Sequence, residues 1–154
     1  MPRRDPQPAK LEAHLGYWLR RVSNVVSGTF ARALGAEQIS VAEWVALRLL
    51  HGKAGQTLGD LAATTGMTRG AVSKVLDKLD ARSLIERTEN PGDRRVQWLS
   101  LTRSGQRLVP QLAALADRND AHFFACLTAK ERAELRRLLE KLSQVHGLRE
   151  PPLE

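Results

Sequence analysis

At 154 residues the chain is one domain, or one domain with a modest extension for self-association, which disfavours a two-domain enzyme. An apolar fraction of 42% together with 11 glycines is the ordinary globular balance and disfavours a disordered or fibrous chain. Lys and Arg outnumber Asp and Glu by 24 to 17, and the resulting +7 favours a polyanionic partner, provided the charges gather on one face.

Residues 1–9 are polar and proline-rich and read as a flexible arm. No apolar stretch follows Met1 to Gln7, so this is not a secretory signal, and a cytoplasmic location is expected. From Leu11 the positions Leu15, Trp18, Leu19, Val22, Val25, Val26, Phe30 and Leu34 keep helical spacing, which predicts one long amphipathic helix ending at Gly35. Ser40 with Glu43 is a capping box, opening a largely buried helix over 41–51 that Gly52 and Gly55 close. Thr57 with Asp60 repeats the signal for a short helix stopping at Gly66. Thr68 then caps a helix to about Ala81, with Val72, Val75, Leu76 and Leu79 on one face and Gly70, Ser73, Lys74, Asp77 and Lys78 opposite. Two short helices joined by a glycine turn form the helix-turn-helix pattern.

After Ser83 the period becomes extended. Segments 84–89 and 96–101 around Asn90-Pro91-Gly92-Asp93 predict a β-hairpin whose tip holds Asp93, Arg94 and Arg95. Thr102 caps a further helix reaching Leu127, with a kink expected at Pro110. Thr128 with Glu131 opens a last helix carrying Leu135, Leu138, Leu139, Leu142 and Val145 and ending at Gly147; residues 148–154 form a tail. No apolar run approaches the roughly 20 residues of a spanning helix, so no membrane contact is expected.

The predicted fold is therefore mainly α with a small β-hairpin wing: a winged helix-turn-helix lobe over 37–103, and a helical dimerisation region over 10–36 and 104–147. The terminal helices carry more apolar residues than one small lobe can cover, and that surplus calls for a second copy.

The lobe reads as a DNA-binding element. An α-helix fits the major groove of duplex DNA, where side chains reach base edges. On the helix from Thr68, Gly70 permits close backbone approach, Thr68 and Ser73 can bond phosphates or bases, Arg69 can grip guanine, and Lys74 and Lys78 can neutralise phosphates. Arg94 and Arg95 suit a minor groove, with Asp93 orienting Arg95. Ordinary solvated lysines and a local ion pair are the alternatives, and the adjacency of helix and basic hairpin weighs against them.

The stretch Asp93-Arg94-Arg95-Val96-Gln97-Trp98-Leu99-Ser100-Leu101-Thr102 resembles the wing signature of the MarR family of bacterial transcription regulators. Met67-Thr68-Arg69-Gly70-Ala71-Val72-Ser73, continuing to Leu84-Ile85, is similar to that family's recognition helix and first wing strand. The resemblance implies a homodimer reading a palindromic site, with Arg95 as the wing arginine. It also implies a repressor released when a small aromatic or phenolic acid binds between the dimer helices and the lobe. His14, Trp18 and Trp44 lie on elements that would line that crevice, and Arg21 is a candidate partner for a carboxylate.

Cys126 sits in the apolar stretch Phe123 to Leu127 and is expected to be a buried structural thiol; a redox-sensor role is the alternative. His14, His51, His122 and His146 are scattered without the spacing of a helical zinc site, so neither metal nor cofactor is expected. No nucleophile elbow, phosphate loop or dinucleotide fingerprint appears, which argues against an enzyme. A sequence-tolerant architectural DNA binder that senses nothing remains the other reading.

Overall fold

The computed structural model describes residues 8–148. Most of the predicted arm and tail, 1–7 and 149–154, lies outside them. In chain order the elements are α1 (Leu15–Ala36), α2 (Val41–Leu50), α3 (Leu58–Thr65), α4 (Arg69–Ala81), β1 (Ile85–Asn90), β2 (Asp93–Leu101), α5 (Arg103–Phe123) and α6 (Ala129–Val145). The mainly helical chain with one antiparallel hairpin is the winged-helix arrangement.

All three capping boxes form: Ser40 with Glu43, Thr57 with Asp60, and Thr128 with Glu131. Each satisfies helix N–H groups that would otherwise lack partners. Gly66, at φ 67°, supplies the left-handed residue that turns α3 into α4.

The first helix departs from expectation at both ends. Leu11–Ala13 form a separate 3-10 turn, because His14 is extended at φ −97° and ψ 126°. The indole N–H of Trp18 donates to the Glu12 carbonyl at 2.9 Å across this break. At the other end Gly35 is not the stop. The helix runs on to Ala36, and Gln38 takes the left-handed conformation at φ 57°. Ile39 N–H then reaches back to the Leu34 carbonyl at 3.0 Å and Gln38 N–H to that of Gly35, the paired bonds of a Schellman motif. Burial of both Leu34 and Ile39 drives this choice: apolar packing across the cap outweighs the cost of a left-handed glutamine. Ser83, at φ 53°, closes α4 the same way, with Leu84 bonded back to Leu79.

The hairpin turn is tighter than predicted. The register slips between Glu89, which faces Gln97, and Asn90, which faces Asp93, so Pro91 and Gly92 form the turn while Arg94, Arg95 and Val96 lie within β2 but have no partner across the ladder. The Asn90 side chain accepts the Gly92 N–H at 2.8 Å, which closes the turn one residue early on each side. Gln56 adds an isolated bridge to Leu99 that alternation alone did not reveal.

A single core gathers Leu47, Leu50, Leu61, Val72, Leu76, Leu79, Leu84, Ile85, Leu99 and Leu101 from the lobe. Leu34 of α1 and Val109 and Leu112 of α5 complete it. α5 runs unbroken through Pro110 and packs along α1, where the Asn119 amide donates to the Val26 carbonyl at 3.3 Å. By contrast α6 has no buried residue and α1 has only Leu34. Leu15, Leu19, Val22, Val25, Leu138, Leu139, Leu142 and Val145 all stand exposed. Cys126, expected to be buried, is exposed too: α5 ends at Phe123 rather than Leu127, and the following turn carries the thiol outward.

Candidate nucleic-acid interface

Thr68 caps α4, its hydroxyl accepting the Ala71 N–H at 3.2 Å, and this fixes where the first turn of the helix points. Thr68, Arg69 and Gly70 are exposed there, as are Lys74 and Lys78 further along; Ser73 is half-buried. A side chain at Gly70 would meet open space, so nothing within the chain itself demands glycine at that position.

The Arg69 guanidinium lies back over the start of α3, close enough to Gly59 that a Cβ there would sit 3.3 Å from it. It lines a cleft of about 390 Å³ between the first turns of α3 and α4 and the hairpin. Arg94 and Arg95 line the same cleft from β2, and Arg87 from β1. Three of the arginines singled out in the sequence thus converge, and a fourth joins them. Arg87 carries a signal in the sequence too, being a charged residue at the inward position of an alternating strand.

Asp93 plays a different part from the one expected. Its carboxylate accepts the backbone N–H of Arg95 at 2.9 Å, not the guanidinium. The exposed Arg95 side chain is not engaged by Asp93, while the backbone beneath it is pinned.

The predicted ligand residues do not form one pocket. Trp18 sits edge-on to Tyr17 at 5.3 Å, with the Arg21 guanidinium 5.9 Å from the Trp18 ring centre. His14 marks the helix break beside this exposed group and makes no capping bond. Trp44 instead packs edge-on against Phe30 at 6.1 Å, with Arg48 5.9 Å from its ring centre. Twelve residues separate Trp18 from Phe30, about 18 Å along α1 at the helical rise. Phe30 and Arg48 were missed, although Trp44 and Arg48 stand at i, i+4 on one helix. Among the described residues no three His, Cys, Asp or Glu side chains converge as a metal site.

Residues 37–96 match the sequence profile of the MarR family. An HTH-type transcriptional repressor of Mycobacterium tuberculosis, Rv2887, is 33% identical over 131 residues, covering 85% of this chain and 94% of the repressor. The chain belongs to the MarR family. Among solved structures, the ligand-free wild-type MarR of E. coli superposes with a TM-score of 0.74 at 27% identity, covering 84% of this chain and 96% of that one. The structure of Rv2887 with p-aminosalicylic acid gives 0.68 at 32% identity, covering 84% and 98%. Bordetella bronchiseptica BpsR, whose DNA binding is regulated by 6-hydroxynicotinic acid, gives 0.75 at 27% identity, covering 89% and 98%. In this MarR-family chain, α3 and α4 form the helix-turn-helix and β1–β2 the wing.

Proposed function

We propose that this MarR-family chain is a homodimeric transcriptional repressor that reads two inverted half-sites and leaves them when an aromatic carboxylic acid binds. One observation carries the DNA contact: Arg69, Arg94 and Arg95 gather with Arg87 around one cleft beside a recognition helix that exposes Lys74 and Lys78. In a complex, α4 enters the major groove with Thr68, Arg69, Gly70 and Ser73 nearest the bases. Lys74 and Lys78 neutralise phosphates, and Arg94 and Arg95 approach the adjacent minor groove, with Asp93 holding the strand.

Dimerisation is supported by the exposed apolar rows of α1 and α6 and by a groove of about 460 Å³ between the end of α5 and α6. Phe124, Leu135 and Leu139 give that groove apolar walls suited to the leucines of a second copy. Residues 10–36 and 104–147 then act as the dimerisation region and 37–103 as the reading lobe. A twofold pair of lobes spaces the recognition helices about one turn of DNA, 34–36 Å.

Release is supported by the acids bound or sensed by Rv2887 and BpsR. Trp44 and Arg48 of the lobe with Phe30 beside them, and Trp18 and Arg21 with His14 outside it, each offer an aromatic face beside a guanidinium, which suits an aromatic carboxylate. Binding that favours a wider lobe separation by about 1–3 kcal/mol lowers operator affinity roughly 5- to 150-fold.

Titration of a duplex selected from random DNA tests the reading. Arg95→Ala weakens binding by about 1–3 kcal/mol with the dimer intact, and salicylate weakens the wild type. Wild-type affinity in Arg95→Ala refutes the wing contact, and indifference to every aromatic acid tried refutes release.

A further inference from the structure

Arg87 stands where the hairpin calls for an apolar side chain. Along β1, Ile85 is buried, Glu86 and Thr88 are exposed, and Arg87 falls on the inward register with Ile85. Across the ladder it pairs with Leu99, which is buried, so the two side chains share the inner face of the wing. A charge in that position needs partners, and it finds them on the recognition helix. Nη2 of Arg87 lies 2.6 Å from Asp77 Oδ1, and Nε lies 3.4 Å from Asp80 Oδ2. Nε is shut off from solvent and has no hydrogen-bond acceptor, so the carboxylate of Asp80 is its compensation.

We propose that Arg87 is a positioning residue for DNA binding: by bridging Asp77 and Asp80 it sets the angle of the wing to α4 and hence where Arg95 arrives. The proposal rests on the reading in which α4 and Arg95 contact one duplex together. Geometry gives the bridge its leverage. Arg95 lies four residues along β2 from Leu99, the cross-strand partner of Arg87, at most about 13 Å at the rise of a strand because the register is irregular beyond Gln97. A tilt of about 5° at that distance moves the Arg95 backbone by about 1 Å, twice the tolerance of about 0.5 Å that a pre-organised contact allows. The planar guanidinium suits this task because its rigid fork holds two acceptors in fixed directions, which a lysine cannot do.

The test is a double-mutant cycle on a duplex selected by the wild-type protein, with Kd measured across a salt series for Arg87→Gln, Arg95→Ala and the pair. Melting midpoints and sedimentation confirm that each variant is folded and dimeric. Arg87→Gln is expected to weaken binding about tenfold with an unchanged salt slope, and less than about twofold once Arg95 is already alanine. Arg87→Lys, which keeps the charge and the fold but not the fork, should lose several-fold with the same dependence on Arg95. Equal losses in both backgrounds, a salt slope reduced by about one, or full affinity in both Arg87 variants each overturn the proposal. Arg95→Ala binding as tightly as the wild type removes the wing contact itself, and that failure is read from a variant in which Arg87 is untouched.

Discussion

Gly105 offers a substitution for which two simple arguments predict opposite signs. It lies in the first turn of α5, where replacing glycine by alanine in a helix ordinarily stabilises by about 1 kcal/mol. Here a Cβ would fall well inside contact distance of the Leu84 carbonyl oxygen and 3.3 Å from a methyl of Leu101. The carbonyl cannot rotate away like a side chain, because it already accepts the Thr102 N–H at 3.1 Å. Thr102 in turn holds the Ser83 carbonyl at 2.7 Å while capping Gly105 at 3.1 Å. Relief of the clash requires α5 to back away from the wing. Overpacking of that kind costs about 1–3 kcal/mol, and strain on two hydrogen bonds adds about 1 more. Set against the gain in helix propensity, Gly105→Ala is expected to destabilise the chain by about 2 kcal/mol, or roughly 4–8 °C in melting midpoint for a protein of this size. Urea unfolding of the two proteins at equal concentration measures it. A variant as stable as the wild type, or more so, refutes the packing argument and leaves propensity in command.

Other outcomes follow from the same structure. Lys74→Ala or Lys78→Ala should weaken binding to every duplex alike and lower the salt slope by about 0.9 for each phosphate that the lysine had neutralised; an unchanged slope argues against that role. Leu19→Glu or Leu142→Glu, placed on the exposed apolar rows, should yield monomers by sedimentation while the lobe keeps its helical circular dichroism. Asp60 is held below the ordinary carboxylate range, first by the Thr57 hydroxyl at 2.7 Å and then by its N–H at 2.8 Å. A depressed folded pKa contributes stability above the unfolded value of about 3.9 and loses it as pH falls through the folded one. Asp60→Asn should thus cost about 0.5 kcal/mol at pH 7, small because the group is solvated, and nothing once the pH is below the carboxylate range. A difference that persists at low pH would contradict this.

Much of the fold was legible because it is written in local chemistry. Capping boxes and helical apolar rows located five of the six helices closely, and the change from helical to alternating period located the wing. What escaped was set by tertiary packing. The left-handed Gln38 follows from burying Ile39 on Leu34, a contact that no local rule anticipates, and glycine at position 35 drew attention instead. Cys126 read as buried from its apolar neighbours, yet the turn after Phe123 decides its direction. At the candidate interface, Arg69, Arg94 and Arg95 were visible as types in a pattern. The inward guanidinium of Arg87 depends on partners that only the packing of β1 against α4 supplies, and the backbone role of Asp93 on a local turn of β2 where its register is irregular. The aromatic residues were identified singly, but which of them are neighbours depends on how α1 crosses α2.

The pairing of two reading lobes on one duplex is most directly tested by the stoichiometry of the complex with a selected operator. Sedimentation equilibrium on that duplex, joined to hydroxyl-radical footprinting, should find two chains per duplex protecting two inverted half-sites centred about one helical turn apart. One chain bound to an isolated half-site with undiminished affinity would contradict the account.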